Sequence, residues 1–245
     1  MIKRLLATLL LFIVWSEATQ AQNLNYYGFF LVYNQTGRIY KKWDYSIFLF
    51  AAINTFNQKI DGVSYPPKTF LLYDENAVIY NATKQLSFAA SYTYQRVDPF
   101  LSSYSNEHRI WEQVAYKHFI NKATIKHRIR FDERFIQNRA DNTYPLSHRL
   151  RYLIGLEMPL KKESDKYYLT AYNEFFFTTS TPTDAFYGEN WAYAGIGVKT
   201  KTAGKLEAGP VYITWVRNPA QDRMNLWYLQ LSWMTTLNFT KEDKQ

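Results

Sequence analysis

The sequence predicts an all-β fold in which an antiparallel sheet closes into a barrel. Three observations favour this class: apolar and polar residues alternate over many segments, the segments have similar lengths, and short and long connections alternate between them. Tyr, Phe and Trp make up 18% of the 245 residues, and aromatic side chains favour strands. Because helical periodicity is interrupted wherever it begins, the period of two decides the class.

The chain begins with the pattern of a secretory signal peptide, predicted at residues 1–21. Two basic residues precede an apolar run from Leu5 to Trp15, and Ala21 offers a small residue for cleavage. This run is shorter than the ~20 residues that cross a bilayer, and no later segment holds ~18 consecutive apolar residues. We therefore expect an exported protein without transmembrane helices, with a single domain at residues 22–245.

Composition narrows the class further. The chain has no cysteine, which excludes a small disulfide scaffold and favours a large hydrogen-bonded framework. The net charge of +8 is not concentrated on one helix face, because the arginines alternate with aliphatic residues along extended segments. We therefore expect no nucleic acid as a partner, and anionic lipid headgroups or a charge-paired interior account better for the arginines.

The alternation of apolar and polar residues predicts the individual strands, which we take in chain order. WDYSIFLFAAI alternates from Trp43, and LSFAASYTYQR, which starts at Leu86, has one apolar face and one face of small or polar residues. NEHRIWEQVAY, IKHRIRFDERF and RLRYLIGLEM each place charged residues on one face and mostly apolar residues on the other. NLWYLQLSWMTTLNF ends the pattern at Phe239.

The connections alternate in length. The short turns are NATK, INKA, KKESD and TAGK, and the long loops are RVDPFLSSYSN, QNRADNTYPLS, TSTPTDAFYGEN and RNPAQDR. This alternation is typical of outer-membrane barrels, whose short turns face the periplasm. We predict ten strands, starting near Trp43. The segment at 24–34 would make eleven, and an even count then requires a twelfth strand in the loop from Asn54 to Lys68, which is the alternative.

The period of two does not show which face points outward. A soluble barrel encloses its apolar face, whereas a membrane barrel presents that face to lipid. The export signal, the strand lengths, the alternating connections and the aromatic end of the chain favour the membrane arrangement. Leu150 and Ile154 should then face hydrocarbon, while Arg149 faces the lumen. Glu112 and Glu133 fall on the expected lipid face, where a bulge or a position at the headgroup boundary would accommodate them.

The charged residues of the inward face are predicted to pair with one another and fill the lumen. Unpaired buried charges are too unfavourable to retain, and ten strands enclose little more space than the eight that side chains can fill. The alternative is a small pore in which the arginines select anions. The predicted lumen charge network consists of Glu107, Arg109, Gln113, Arg128, Arg130, Asp132, Arg134, Arg149, Arg151, Glu157 and Glu174.

Several of these segments resemble a known family, called domain of unknown function 2490. The resemblance rests on NEHRIWEQ, HRIRFDERF, HRLRYLIGLEMPL and YNEFFF, and it extends from about Trp43 to Phe239. The matching residues are Glu107, Arg109, Trp111, Gln113, Arg128, Arg130, Glu133, Arg134, Arg149, Arg151, Gly155, Glu174 and Gly195. The family usually has an arginine after Asn190, where this chain has Trp191. The resemblance implies an outer-membrane β-barrel of Gram-negative bacteria and implies no particular activity.

Candidate catalytic residues are few. His108 and His148 lie at strand starts near serines, which makes them the candidates for acyl-transfer chemistry. The sequence has no Gly-x-Ser-x-Gly elbow, no zinc-ligand spacing and no glycine-rich phosphate loop. We therefore expect a non-enzymatic barrel for structure or small-solute passage, with no cofactor or metal. The alternatives are a lipid-modifying acyl hydrolase of the outer membrane and a soluble periplasmic binding barrel.

The predicted surroundings of the protein follow from this interpretation. We expect it in the Gram-negative outer membrane, in contact with the lipid bilayer and its lipopolysaccharide. Its biogenesis should then require the barrel-assembly machinery.

Overall fold

The structure, a computed structural model, describes residues 23–56, 58–60, 63–161, 163–180, 186–216 and 222–240. The signal peptide expected at residues 1–21 lies outside this described part. Within it, all regular secondary structure is β-strand, which agrees with the predicted all-β class. None of the described residues belongs to a helix long and apolar enough to cross a membrane.

The described residues form thirteen strands, of which eleven make one closed barrel. They are β1 (Asn23–Tyr40), β2 (Trp43–Asn54), β3 (Gln58–Ile60), β4 (Val63–Tyr65), β5 (Lys68–Asn81), β6 (Leu86–Val97), β7 (Ser105–Ile120), β8 (Ala123–Ile136), β9 (Leu146–Pro159), β10 (Tyr167–Thr178), β11 (Tyr187–Lys199), β12 (Lys205–Val216) and β13 (Arg223–Thr236). The short β3 and β4 pair only with each other.

The barrel closes through one parallel pair. Neighbours from β1 through β2 and β5 to β13 are antiparallel, and β13 then returns to β1. These two strands run parallel, from Asn23 opposite Arg223 to Thr36 opposite Thr236. In an antiparallel series with an odd count the first and last strands point the same way, and a parallel ladder still satisfies the backbone groups of both edges.

The predicted count of ten strands, and the alternative of twelve, are therefore wrong. The segment at 24–34 is part of β1, a barrel strand, and the loop from Asn54 to Lys68 contains the separate β3–β4 hairpin. An even count, the rule for bacterial barrels, would place both chain ends at one end of the barrel. Instead, β1 begins at the end with the long connections and β13 finishes at the end with the short turns.

The connections have the alternation expected from the sequence. The connections at 41–42, 82–85, 121–122, 160–166 and 200–204 lie at one end, and 160–166 is the longest of them. Those at the other end include 98–104, which is as long as 160–166, and 137–145, which is longer. Asn121 and Gly204 have positive φ angles of 55° and 79°. These left-handed conformations reverse the chain within a few residues, and asparagine and glycine adopt them most readily.

The strand faces divide as the alternation predicts. Leu150 and Ile154 are 39% and 40% exposed on the outside, whereas Arg149 and Arg151 are each 6% exposed and face the interior. The outer surface is thus apolar along these strands and the interior carries the charge. Glu112 is exposed on the outside, opposite Ala90 and Phe131.

No bulge accounts for the two outward glutamates. The registers of β6 with β7, β7 with β8 and β8 with β9 continue through Glu112 and Glu133 without a shift. Glu133 lies opposite Ile110 and His148, nearer the long-loop end than Glu112. Glu112 therefore occupies the middle of its outer strand face as an ordinary member of the ladder.

Candidate functional site

A cavity of about 610 Å³ occupies the interior of the barrel. Its lining divides into two parts, which we call the charged wall and the aromatic wall. The charged wall comprises Glu75, Glu107, Arg109, Arg128, Arg130, Arg134, Arg149, Arg151, Glu174 and Glu189. The aromatic wall comprises Phe30, Phe48, Phe50, Tyr73, Phe176, Trp191 and Trp215.

Asp132 is the centre of the charged wall, behind the residues that line the cavity. Its side chain is fully buried, and its Oδ2 accepts hydrogen bonds from Arg149 Nε at 3.0 Å and Nη2 at 2.9 Å. Arg151 Nη1 lies 3.6 Å and Arg109 Nη1 3.9 Å from the same oxygen. These four residues come from three consecutive strands whose inward positions alternate, so one carboxylate compensates parts of three guanidinium charges.

Glu107 and Glu174 each hold two arginines. Glu107 Oε1 accepts hydrogen bonds from Arg109 Nη2 at 2.6 Å and from Arg134 Nε at 2.7 Å. Its Oε2 accepts a third from Arg134 Nη2 at 2.9 Å. Glu174 Oε1 accepts from Arg151 Nε at 2.8 Å and from Arg128 Nη2 at 2.5 Å. Sharing of this kind links the pairs into a continuous network, in which each carboxylate supports neighbours on two strands.

Sequence reasoning missed two carboxylates of this network. Glu75 accepts from Arg130 Nη1 at 2.8 Å, and Glu189 accepts from Arg149 Nη1 at 3.1 Å. Each lies two residues from an inward aromatic side chain in an otherwise weakly charged strand. The period of two that located the arginines would also have located them.

The two walls meet where arginines stack on aromatic rings. The Arg130 guanidinium carbon lies 3.6 Å from the ring centroid of Trp111, which is 1% exposed. Arg151 and Arg149 lie over Phe176 at 4.5 and 4.9 Å. Such contacts stabilise the cations through the ring quadrupole.

Rings pack against one another along the aromatic wall. Phe50 stacks on Tyr73 with centroids 4.3 Å apart and lies 4.6 Å from Phe30. Trp191 meets Phe30 edge-on at 5.5 Å. Trp191 also donates its Nε1 hydrogen to Glu189 at 2.5 Å. The aromatic wall is thus hydrogen-bonded to the charged wall through Trp191.

Gln113 and Glu157, the remaining members of the predicted network, lie at different places. Gln113 Oε1 accepts from Arg130 Nη2 at 2.9 Å and so joins the charged wall. Glu157 lies further along β9 toward the short turns, where Lys126, Lys199 and Lys205 lie within 3.4, 3.7 and 3.2 Å. This differs from the expected pairing of Glu157 with arginines.

The lysine cluster around Glu157 extends into the turn before β10. Lys199 Nζ lies 2.9 Å from Asp165 Oδ2. This hydrogen bond, together with the lysine charge, holds the pKa of the Asp165 carboxyl below its ordinary value. The cluster is therefore a second, more exposed set of ion pairs at the short-turn end.

The candidate catalytic histidines lie on the outer surface. His108 Nδ1 is hydrogen-bonded to the Tyr92 hydroxyl at 2.6 Å, and the His148 ring stacks on Phe131 at 5.5 Å. Glu107 precedes His108 directly and therefore points to the opposite face of β7, which prevents it from orienting the imidazole. Among the residues that the structure describes, no group of three or more His, Cys, Asp or Glu side chains is arranged to hold a metal ion.

Comparison with known proteins identifies a family without an assigned activity. No curated protein and no solved structure matches the chain. A family model described as protein of unknown function (DUF2490) matches residues 27–225, from β1 into β13. Because this match covers most of the sequence, the chain belongs to the DUF2490 family.

Proposed function

We propose that this protein is an outer-membrane β-barrel of a Gram-negative bacterium, with a lumen closed by paired charges and no enzymatic activity. The observation that carries the proposal is the reversal of the two faces: apolar residues cover the outside while six arginines lie inside. A barrel dissolved in water would place these groups the other way round. A bilayer supplies the apolar surroundings that the outer face requires.

Aromatic side chains on the outer face support placement in a membrane. Tyr212 and Trp227 pack together at 4.3 Å near the long-loop end, and Tyr33 and Trp233 pack at 5.2 Å toward the short-turn end. Between the two tryptophans, the outer side chains of β13 are leucines. Aromatic pairs on either side of an apolar band are typical of the two water boundaries of a membrane barrel.

The packing of the interior favours a closed barrel over an anion-selective pore. Arg109, Arg130, Arg149 and Arg151 are 3–6% exposed, and each has a carboxylate partner. A selectivity ring requires charges that a passing ion can reach, whereas these guanidiniums are engaged with glutamates, aspartate and rings. The protein therefore has a structural role, or admits small solutes only when this network rearranges.

Fractionation tests location and closure together. The expected result is recovery with the outer membrane, together with a faster-migrating band on unboiled gels that shifts when the sample is heated. A soluble periplasmic protein without such a shift contradicts the proposal.

Conductance tests the closed lumen. Purified barrel in planar bilayers should give no steady current, while Asp132→Asn, which loosens the network, should give intermittent openings. A steady anion-selective current from the wild type would establish the pore instead.

Purified wild type should also release no fatty acid from phospholipid vesicles, which tests the acyl hydrolase alternative.

A further inference from the structure

The size of the lumen cavity is that of a small-molecule site. Its volume of about 610 Å³ lies within the range of roughly 300–1,000 Å³ found for ligand pockets. Such pockets combine a largely apolar lining with a few polar groups that fix the orientation of the ligand. Here the aromatic wall provides the apolar surface, and the charged wall provides the polar groups on the opposite side.

The charges around the cavity do not cancel. Six arginines line it, and the carboxylates that pair with them number five: Glu75, Glu107, Asp132, Glu174 and Glu189. One positive charge is therefore in excess. A buried excess charge is unfavourable, and an anion placed beside it would lower the free energy of the folded protein.

Arg128 is the residue at which this excess is most evident. It shares Glu174 Oε1 with Arg151, so one carboxylate oxygen serves two guanidiniums. Its Nε hydrogen is buried without a hydrogen-bond partner in the described part of the chain. At 23% exposure its side chain is also the most accessible of the six arginines that line the cavity. An additional acceptor at this position would satisfy the free donor and compensate the charge.

We propose that the cavity binds a small amphipathic anion, with a carboxylate or sulfonate group at Arg128 and an aromatic or short hydrocarbon body against Phe48 and Phe50. A cation of the same shape is disfavoured because the arginines outnumber the carboxylates. The ligand needs an apolar body because a small inorganic ion at Arg128 would leave the aromatic wall facing poorly hydrated space, whereas an apolar group would pack against it.

Binding is tested on purified, folded barrel in detergent, so the result does not depend on the membrane location proposed above. The probes are 2-naphthoate and its cationic counterpart 2-naphthylmethylamine, followed by tryptophan fluorescence, since Trp111, Trp191 and Trp215 line the cavity. We expect saturable quenching by 2-naphthoate and at least ~10-fold weaker binding of the amine, the effect of one charge-assisted hydrogen bond.

A pair of variants locates the site. Arg128→Gln should weaken 2-naphthoate binding by about 10-fold or more. Lys126→Gln is the matched control, because Lys126 is two residues away on the same inward face but belongs to the Glu157 cluster, and it should leave the affinity unchanged. Equal effects of the two variants would overturn the proposal. If Arg128→Gln does not fold, the comparison of the two probes on the wild type decides, and equal affinity for anion and amine overturns it.

Discussion

The two walls of the lumen fill the same barrel by different physical means. The charged wall depends on ion pairs in which Asp132, Glu107 and Glu174 each serve at least two arginines. The aromatic wall depends on ring packing, as between Phe50 and Tyr73. Loss of one shared carboxylate leaves several buried cations unpaired, whereas a smaller ring leaves a small void. Substitutions in the charged wall should therefore lower the free energy of unfolding more than substitutions in the aromatic wall.

The outer surfaces over the two walls differ as well. The strands of the charged wall carry outward carboxylates at Asp74, Glu112 and Glu133. On the aromatic-wall side, the outer face of β13 between Trp227 and Trp233 holds only leucines. Stability measurements on both surfaces and both walls can test this contrast.

The largest effect is expected from Asp132→Asn. Three arginines lie within 4 Å of this carboxylate, and removing its charge should lower the free energy of unfolding by ~3–5 kcal/mol. Denaturant unfolding of the protein in lipid vesicles measures the loss. Adding Arg149→Met should recover part of it, because the second change removes one of the unpaired cations. A loss below ~1 kcal/mol would contradict the central role of Asp132.

A smaller effect is expected from Phe50→Leu in the aromatic wall. The substitution removes the stack on Tyr73 and part of the contact with Phe30, which should lower the free energy of unfolding by about 1–2 kcal/mol. The loss should be the same at low and high salt, because no charge changes. The neighbouring outer substitution Leu49→Ile serves as the control. A loss as large as that of Asp132→Asn would remove the distinction between the walls.

The outer substitution Glu112→Leu should stabilise the protein in a bilayer. Glu112 lies between Ala90 and Phe131 in the middle of an apolar outer groove. Replacing its carboxyl by hydrocarbon should raise the free energy of unfolding in vesicles by about 1 kcal/mol. Glu163→Leu, in the exposed turn 160–166, should show no such gain. Stabilisation by neither variant would indicate that the outer face does not meet lipid.

The smallest effect is expected from Lys126→Gln in the lysine cluster. Lys126 is half exposed, and Glu157 retains Lys199 and Lys205 when it is lost. The free energy of unfolding should fall by at most ~0.5 kcal/mol, and the difference should shrink in high salt. Vesicle unfolding at two salt concentrations measures it. A loss comparable to that of Asp132→Asn would make the short-turn cluster part of the central network.

The division of the side chains into two faces could be predicted from the sequence because it follows from a local rule. Successive side chains of a strand point to opposite faces, so Arg149 and Leu150 are separated whatever the rest of the chain does. The same rule identified most of the charged wall. Glu75 and Glu189 obey the same rule but were not predicted, because each is a single inward carboxylate among aromatic residues and not part of a repeated charge pattern.

Only the tertiary structure decided the strand count, the closure and the choice of partners. The alternation of β1 is weak because apolar residues occupy both of its faces, and its parallel pairing with β13 joins residues about 200 positions apart. Similarly, Glu157 pairs with lysines and not with arginines because of its position along β9 relative to the neighbouring strands. Periodicity fixes the direction of a side chain, whereas register and closure fix its height and its neighbour across the lumen, and these are properties of the whole sheet.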